Sequence, residues 1–211
     1  MNVTNLSYRH NTAAPYLFKG LSFLVEPRKL HALHGKNGCG KSVLLGLLNG
    51  NKPQGGIMDG RISSSGITLL VNQRFDQLIA DKFSFSENLR FACMGRFPSV
   101  VGTLGSPTHH LEFVDRFHID IHKPVYMLSG GQRQILALLM VLQKQVDVLL
   151  LDEPTATLDE ENAVLVFEFL KGLTLRGITV VTVCHNRELV EGYVSGQNYS
   201  LVRSNGTSVL F

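Results

Sequence analysis

One segment of eight residues most narrows the folds open to this chain of 211 residues. The run Gly35-Lys36-Asn37-Gly38-Cys39-Gly40-Lys41-Ser42 fits G-x-x-x-x-G-K-[ST], between an apolar strand candidate (Leu30–His34) and helical spacing over residues 42–48. Glycines let such a loop curl, so that successive backbone N–H groups and the positive end of the following helix face phosphate oxygens. Lys41 supplies a charge to the β and γ phosphates, and the Ser42 hydroxyl is a ligand for Mg²⁺. The pattern predicts a phosphate-binding loop in an α/β fold.

Two carboxylates follow a second apolar strand candidate. Val148–Leu151 is an unbroken apolar run, and Asp152 and Glu153 come directly after it. Ligands bind at the carboxyl ends of strands in open parallel sheets, so these acids are predicted to lie at the phosphate site. Asp152 is then placed to hold Mg²⁺ through water, and Glu153 to polarise an attacking water. A strand that merely ends in solvated acids is the alternative.

The rest of the pattern predicts the layout of the fold. The unbroken apolar runs 148–151 and 178–184 are typical of strands buried on both faces, as in a parallel sheet between helices. Residues 199–211 predict a terminal hairpin, with Asn205-Gly206 as its turn. Asp59-Gly60 predicts another turn between short strands. Seven of the twelve Phe residues lie between Phe75 and Phe117, which indicates a mainly helical insertion.

Charge and composition exclude several classes. The chain has 20 Lys+Arg against 17 Asp+Glu and no basic block, so we expect no nucleic-acid partner. Its longest apolar run, Ile135–Leu142, is far below the ~20 residues of a membrane-spanning helix, and the N-terminus shows no signal-peptide pattern. The 3 cysteines have no metal-ligand spacing, which favours reduced thiols in a cytosolic protein.

A third motif makes the prediction specific. Leu128-Ser129-Gly130-Gly131-Gln132 matches, without a mismatch, the signature motif of ATP-binding cassette (ABC) proteins, and it precedes Asp152 as that family requires. Over nearly its whole length the chain resembles the nucleotide-binding subunit of these proteins. The resemblance implies an α/β P-loop NTPase, with a RecA-like parallel sheet core, an N-terminal antiparallel β subdomain and an inserted helical signature subdomain. It implies one domain over 1–211, in which 1–72 and 145–211 form the core and 73–144 the insertion.

The resemblance also assigns roles to single residues. Tyr8 takes the place of the aromatic residue that stacks on adenine, Gln73 that of the Q-loop glutamine, and His185 that of the switch histidine. Asp159, in Thr157-Leu158-Asp159, falls in the D-loop, which crosses the dimer interface in the family. The implied catalytic residues are Glu153 as general base, His185 and Gln73, and the implied ligands of Mg²⁺ are Ser42, Gln73 and Asp152. The implied ATP-binding residues are Tyr8, Gly35, Asn37, Gly38, Cys39, Gly40, Lys41, Ser42, Val43, Ser129, Gly130, Gly131, Gln132 and Asp159.

The family works as a head-to-tail dimer, in which the phosphate loop of one subunit and the signature of the other enclose each ATP. The resemblance therefore implies a homodimer or a dimer with a related ABC subunit, bound through an integral membrane permease to the cytoplasmic face of the membrane. The cofactors implied are ATP and Mg²⁺. Two alternatives stay open: a soluble ABC ATPase without a transport role, and a cassette that binds ATP without turnover.

Some residues depart from the family pattern or permit two interpretations. Cys39 replaces a small Ala or Ser inside the phosphate loop, and we expect it to be a filler rather than a redox site. His34, at the end of a buried strand, is expected to be partly buried with a hydrogen bond. The aromatic rings of the insertion either line a docking groove for the permease or form the insertion's own small core; these rings are Phe75, Phe83, Phe85, Phe91 and Phe97.

Overall fold

The computed structural model describes residues 1–72, 79–94, 107, 110–184, 186–204 and 206–211. Its packing divides the chain into two compact units. The core unit comprises Met1–Gln73, Val146–Ala156 and Leu170–Phe211, and the helical unit comprises Arg74–Gln145 and Thr157–Phe169.

The helical unit takes in a segment that the sequence had assigned to the core. Residues 157–169 belong to it because Phe169, at the end of this segment, packs with its ring centroid 4.6 Å from that of Phe113 and 6.5 Å from that of Phe117. Neither aromatic contact is visible as a local pattern, since the residues lie more than fifty positions apart in the chain.

One sheet organises the core unit. In the described part of the chain it has nine strands, in the order β4-β1-β2-β9-β8-β3-β7-β6-β5. The strands are β1 (Asn2–Arg9), β2 (Phe18–Leu24), β3 (Leu30–His34), β4 (Ile57–Ser63), β5 (Thr68–Val71), β6 (Val148–Asp152), β7 (Thr179–Val183), β8 (Asn198–Ser204) and β9 (Thr207–Leu210).

The half of the sheet that carries β8, β3, β7, β6 and β5 is parallel. The apolar residues Val148–Leu151 of β6 and every residue of β7 are buried, as the unbroken apolar runs predicted. Every residue of β3 is buried as well. Asp152 pairs in register with Val183, and Leu33 pairs with Val183 on the other side. The chain leaves β3 and β6 at one edge of the sheet, so the loop after His34 and the acids after Leu151 emerge together.

The other half is antiparallel. β1 pairs with both β2 and β4, and β8 pairs with β9 as the predicted terminal hairpin. A single parallel register pair, Phe18 with Ser208, connects β2 to β9 and joins the two halves. The predicted turn at Asp59-Gly60 is wrong, because both residues lie inside β4. Gly60 adopts φ 93°, and an added Cβ would collide with the backbone of Asn5, so the glycine permits an irregular pairing with β1 rather than a turn.

Helices flank these strands. The core unit contains α1 (Lys41–Leu48) and α6 (Arg187–Glu191), and α1 buries Leu44, Leu45, Leu47 and Leu48. The helical unit contains α2 (Phe85–Ala92), α3 (Glu112–Arg116), a 3₁₀ turn (Val125–Met127) and α4 (Gly130–Val141). Helix α5 (Glu160–Leu175) begins in the helical unit and ends in the core unit. Among the described residues, no helix combines the length and the apolar character needed to span a bilayer.

Two helices of the helical unit begin with a capping box. Ser84 Oγ accepts from Glu87 N at 3.2 Å, and Glu87 Oε2 accepts from Ser84 N at 2.7 Å, which satisfies two donors at the start of α2. The pair Ser129 and Gln132 does the same for α4. Since these donors have no partner inside a helix, each box fixes where its helix begins.

Candidate nucleotide site

The phosphate loop runs from the end of β3 to the start of α1, as predicted. Gly40, at the N-cap of α1, has φ 100°, and a Cβ there would lie 2.9 Å from the ring of Phe18. A side chain at this position would therefore be strained and would collide with the core. Because Gly40 offers no capping side chain, this residue leaves the first N–H groups of α1 available to an anion.

Lys41 is held at this loop. Its Nζ donates to Gly35 O at 2.8 Å and to Lys36 O at 3.3 Å, and only 6% of the residue is exposed. An ammonium carries three N–H donors, so two bonds to the loop leave one donor for a phosphate oxygen. The geometry places the charge at the loop before any ligand arrives.

A cavity of about 580 Å³ lies against the phosphate loop. One wall is formed by Asn37, Gly38, Gly40, Lys41, Ser42 and Val43, with Glu153. The remaining lining comes from the segment between β1 and β2 and from the terminal hairpin, namely His10, Ala14, Pro15, Tyr16, Leu17, Arg203 and Gly206. This single cavity thus brings the phosphate loop and one of the two predicted acids together.

The two acids diverge at the end of β6. Asp152 is the last strand residue, whereas Glu153 has φ 55°, in the left-handed region that non-glycine residues seldom adopt. The N–H of Glu153 donates to Val183 O at 3.2 Å, and its carbonyl accepts from Ala156 N at 3.3 Å. Glu153 lines the cavity and Asp152 does not, so the two acids have different surroundings, as separate roles for them require.

The oxygen donors at this edge suit Mg²⁺. The Ser42 hydroxyl is exposed at the start of α1 and the Asp152 carboxylate is half-buried, and hydroxyl, carboxylate and water oxygens are the ligands that Mg²⁺ takes. In the described ranges, no group of three or more His, Cys, Asp or Glu residues is placed to hold a metal.

The structure corrects the role predicted for Tyr8. Its ring is 0% exposed, packs 6.4 Å from the ring of Phe18 and is absent from the cavity lining, so it offers no face to an adenine ring. Tyr8 shares the buried face of β1 with Leu6, which the alternation along this strand indicates. Two nearby aromatic residues, His10 and Tyr16, line the cavity instead.

Tyr16 is supported from one side by a cation. The guanidinium of Arg9 lies 5.2 Å from the centroid of the Tyr16 ring, and Arg9 Nη1 donates to Thr12 O at 2.9 Å. Asn11 Oδ1 accepts from the N–H groups of Ala13 and Ala14, which gives the connecting loop its shape. Sequence reasoning missed Tyr16 because it lies in a loop without a motif.

The signature residues form the start of α4 in the helical unit. Gln132 N donates to Ser129 Oγ at 3.2 Å, and Gly131 N donates to Asn162 Oδ1 at 2.9 Å. Asp159 is exposed, and its Oδ1 accepts from Asn162. The predicted residues Gln73 and His185 lie outside the described residues.

Two residues next to the phosphate loop agree with expectation. His34 is 7% exposed, and its Nε2 lies 3.4 Å from Asn198 Oδ1, so it is the buried, hydrogen-bonded histidine that the sequence predicted. Cys39 is buried, and its Sγ lies 2.6 Å from where a Cβ of Gly35 would stand. A thiol packed this closely fills space under the loop, as the filler interpretation requires.

A phosphate loop after a central parallel strand, with acids at the end of another strand of that sheet, defines a P-loop nucleoside triphosphatase. Within that class, residues 18–156 match the family model described as ABC transporter. Because the match covers more than half of the chain, the chain belongs to the ABC transporter family. It has the fold of that family's ATP-binding domains, and the predicted fold class and family are confirmed.

Two curated relatives that match this chain are named as import ATP-binding proteins. The chain is 29% identical to the glucose import ATP-binding protein TsgD13 of Haloferax volcanii, over 89% of this chain and 42% of that protein. It is 30% identical to the arabinose import ATP-binding protein AraG of Azospirillum brasilense, over 81% of this chain and 35% of that protein. The chain thus spans about two-fifths or less of the length of these relatives.

Solved structures share the fold over the whole chain. An ABC transporter in an inward-facing conformation superposes with a TM-score of 0.72 at 25% identity, covering 100% of this chain and 82% of that one. The protein cbiO1 from Clostridium perfringens, part of the transporter complex cbiONQ, gives a TM-score of 0.72 at 24% identity, covering 99% and 86%. The second likeness bears on the fold alone.

Proposed function

We propose that ATP-driven closing and opening of two such cassettes, one of them this chain, powers substrate movement through a separate integral membrane permease. The observation that carries the proposal is the shared cavity, in which the phosphate loop with Lys41 faces the same space as Glu153. That space supplies a place for a triphosphate and for a carboxylate near its reactive end. The cassette would then lie at the cytoplasmic face of the membrane, held there by the permease.

Binding of the triphosphate would follow from the loop. Backbone N–H groups from Asn37 to Ser42 and the start of α1 give a positive concavity, and the free donor of Lys41 adds a full charge. His10 and Tyr16 would hold the base, since they line the cavity away from the loop. These residues replace Tyr8 in the proposed site, and Val43 completes the wall beside Ser42.

Hydrolysis would use Glu153 as the general base. Its carboxylate would accept a proton from the attacking water. The backbone turn at Glu153 would leave Asp152 to the separate role of holding the metal. Ser42 and Asp152 would hold Mg²⁺, with Gln73 as a further proposed ligand, and the ion would neutralise charge on the phosphate oxygens. Gln73 and His185 remain proposed contacts of the water and the γ-phosphate.

A second cassette would complete the site. Ser129, Gly130, Gly131 and Gln132 of that copy would face the γ-phosphate, and Asp159 would couple the two sites. One chain cannot easily point two helix N-termini at one phosphate from opposite sides, so this arrangement calls for a homodimer or a dimer with a related subunit. ATP would then bridge two positive helix ends, and loss of phosphate would remove the bridge.

The proposal is tested by phosphate release and by size. The wild type with ATP and Mg²⁺ should release phosphate, and Lys41→Ala should reduce the rate by at least about tenfold through lost charge stabilisation of the phosphates. Glu153→Gln should bind ATP without turnover and elute as a dimer on a sizing column, whereas the nucleotide-free protein should elute as a monomer. Binding without release by the wild type would favour the cassette without turnover. A monomeric Glu153→Gln protein with ATP would contradict the two-cassette site.

The aromatic rings of the insertion divide between the two interpretations. Phe85 is fully buried and belongs to the core of the helical unit. Phe83 and Phe91 are 43% and 40% exposed, with ring centroids 5.2 Å apart, and they are the rings that we propose for permease docking. Phe75 and Phe97 lie outside the described residues. Co-purification with membranes would separate this role from that of a soluble ABC ATPase.

A further inference from the structure

One asparagine in the helical unit joins two of the motifs named above. Asn162, in the first turn of α5, receives no role from the family motifs. Its N–H and its Nδ2 both donate to Asp159 Oδ1, at 2.9 and 2.8 Å. Its Oδ1 accepts from Gly131 N at 2.9 Å. One side chain therefore connects the D-loop carboxylate to the backbone of the signature loop, thirty-one positions earlier in the chain.

The packing around Asn162 explains one glycine of the signature. A Cβ on Gly131 would lie 2.9 Å from both the carbonyl oxygen and Oδ1 of Asn162, so a larger residue would push the start of α4 away from this backbone. A Cβ on Gly130 would lie 2.9 Å from Leu158 Cδ2, the end of a side chain that can turn aside. The two loops therefore fit each other as one packed body within the helical unit.

The bond to Gly131 uses a donor that matters to the start of the helix. The first N–H groups of α4 have no partner inside the helix, and they carry its positive end. Asn162 takes one of them and Ser129 takes another, so the first turn of α4 is fixed by side chains. The geometry of this turn decides where its partial charge points. A shift of Asn162 would change that direction.

We infer that Asn162 is a positioning residue, which transmits the state of Asp159 to the signature loop. Asp159 is exposed, so it is open to contact with a second cassette, while Gly131 is buried and bonded to Asn162. A change in what Asp159 binds would release or tighten Asn162 and so move the start of α4. This role rests on the proposed function, in which the signature loop faces the γ-phosphate of a partner's ATP.

The amide of Asn162 meets two demands at this position. Asn162 donates to a carboxylate and accepts from an N–H at the same time. Aspartate in its place keeps the acceptor for Gly131 but sets two carboxylates face to face, and alanine removes both bonds. Exchanging the two residues, Asp159→Asn with Asn162→Asp, restores one donor and one acceptor in reversed order, and the second oxygen of the new carboxylate still accepts from Gly131 N.

The first test measures the connection between Asp159 and the Gly131 amide and does not require ATP hydrolysis. Hydrogen exchange at the Gly131 amide is measured by NMR in the full chain, for the wild type, Asp159→Ala, Asn162→Ala and the adjacent exposed control Glu160→Ala. Loss of the bond should speed exchange about tenfold in the two variants, and the control should match the wild type. Unchanged exchange in Asp159→Ala would overturn the inference, whether or not the protein hydrolyses ATP.

The second test reads its effect on catalysis. Asn162→Asp should lower kcat for phosphate release about tenfold while the Kd for ATP stays within about twofold, because the phosphate loop is in the other unit. The double exchange should return hydrogen exchange at the Gly131 amide to the wild-type rate, because it restores both bonds. Equal Gly131 exchange rates in Asn162→Asp and the double variant, or an effect of Asn162→Asp confined to melting temperature, would overturn the inference. A wild type without phosphate release would instead contradict the proposed function and leave the exchange measurement to decide.

Discussion

At the scale of single residues, burial decides which of two tyrosines meets a ligand. Tyr8 lies on the inner face of β1, and Tyr16 lies at the cavity with a guanidinium beneath its ring. Both are tyrosines near the N-terminus, and only the strand alternation separates them. The burial of an aromatic side chain in the sheet is therefore better evidence about a stacking role than the position of that residue in a sequence motif.

Tyr16→Ala should raise the Kd for ATP about tenfold, because stacking of a base on an aromatic ring is worth ~1–3 kcal/mol. Tyr126→Ala is the matched control, since Tyr126 is 62% exposed in the helical unit and does not line the cavity. Titration with a fluorescent ATP analogue measures both. Wild-type affinity in Tyr16→Ala would contradict the proposed base site.

A buried histidine makes stability depend on pH. His31 Nε2–H donates to Glu26 O at 2.8 Å, and its Nδ1 accepts from Gln197 N at 2.9 Å, so the ring is neutral in this arrangement. Burial lowers its pKa below the ordinary value of 6.5; the backbone and the charge of Glu26 act the other way, and the charges of Lys29 and the N-terminus act with burial. A depressed pKa means that the neutral form contributes stability which is present above about pH 6.5 and is lost as the pH falls.

The free energy of unfolding should accordingly fall between pH 7.5 and 5.5 in the wild type. His31→Gln should flatten this dependence, since it removes the titrating ring, although its stability at pH 7.5 should be lower. His10→Gln, at an exposed position, is the control and should keep the wild-type slope. Urea unfolding at several pH values measures the free energy of unfolding of the three proteins. The same pH dependence in His31→Gln and the wild type would show that His31 is not its cause.

At the scale of elements, the terminal hairpin is hydrogen-bonded to the phosphate loop. Ser208, fully buried in β9, donates its Oγ to Cys39 O at 2.7 Å, and its N–H donates to Leu17 O at 2.7 Å. Strand β9 is also the strand that joins the two halves of the sheet. The conformation of the loop is therefore fixed by a strand that lies far from it in the chain.

Ser208→Ala should leave the Cys39 carbonyl buried without its donor, which costs ~1–3 kcal/mol of stability. It should also weaken ATP binding, because the loop loses a support. Tyr199→Phe is the control: it removes the buried bond from Tyr199 Oη to Leu24 O, elsewhere in the same hairpin, and should lower stability without changing the Kd for ATP. Equal affinity in both variants would show that the loop holds its shape without β9.

The elements that the sequence predicted well are those whose signal is local. Strand β3 has the predicted bounds, and α1 and β6 differ from prediction by single residues, because glycines and apolar runs mark them. The bounds of α2 and α3 were not predicted, although Ser84 and Glu87 at capping-box spacing and the buried pair Phe85 and Leu89 mark α2 in the sequence. Asn162 and Ser208 gave no sequence signal, since their partners are thirty-one and one hundred and sixty-nine positions away.

At the scale of the whole molecule, two units carry different motifs. The phosphate loop and the acids belong to the core unit, and the signature, Asp159 and the exposed rings belong to the helical unit. Under the proposed function, docking to a membrane partner would fall to the helical unit, while the phosphate loop and the acids belong to the core unit.

Phe83→Ser with Phe91→Ser should abolish co-purification of the chain with its membrane fraction while phosphate release stays within about twofold of wild type. Leu111→Ser, another exposed apolar position of the helical unit, is the control and should change neither. Glu87 is unsuitable as a charge-reversal probe, because its carboxylate caps α2 and its replacement would fray the helix. Retained co-purification in the double variant would show that the docking surface does not include Phe83 and Phe91.

The three thiols differ in solvent exposure, so one of them can be labelled selectively. Cys39 and Cys184 are buried, whereas Cys93 in the helical unit is half-buried, with its Sγ 3.7 Å from Gln143 Oε1. Partial burial raises the pKa of Cys93, so a maleimide dye should couple slowly at neutral pH and faster under alkaline conditions. Chains labelled there need no engineered cysteine, and energy transfer between dyes on two copies would follow their approach in real time.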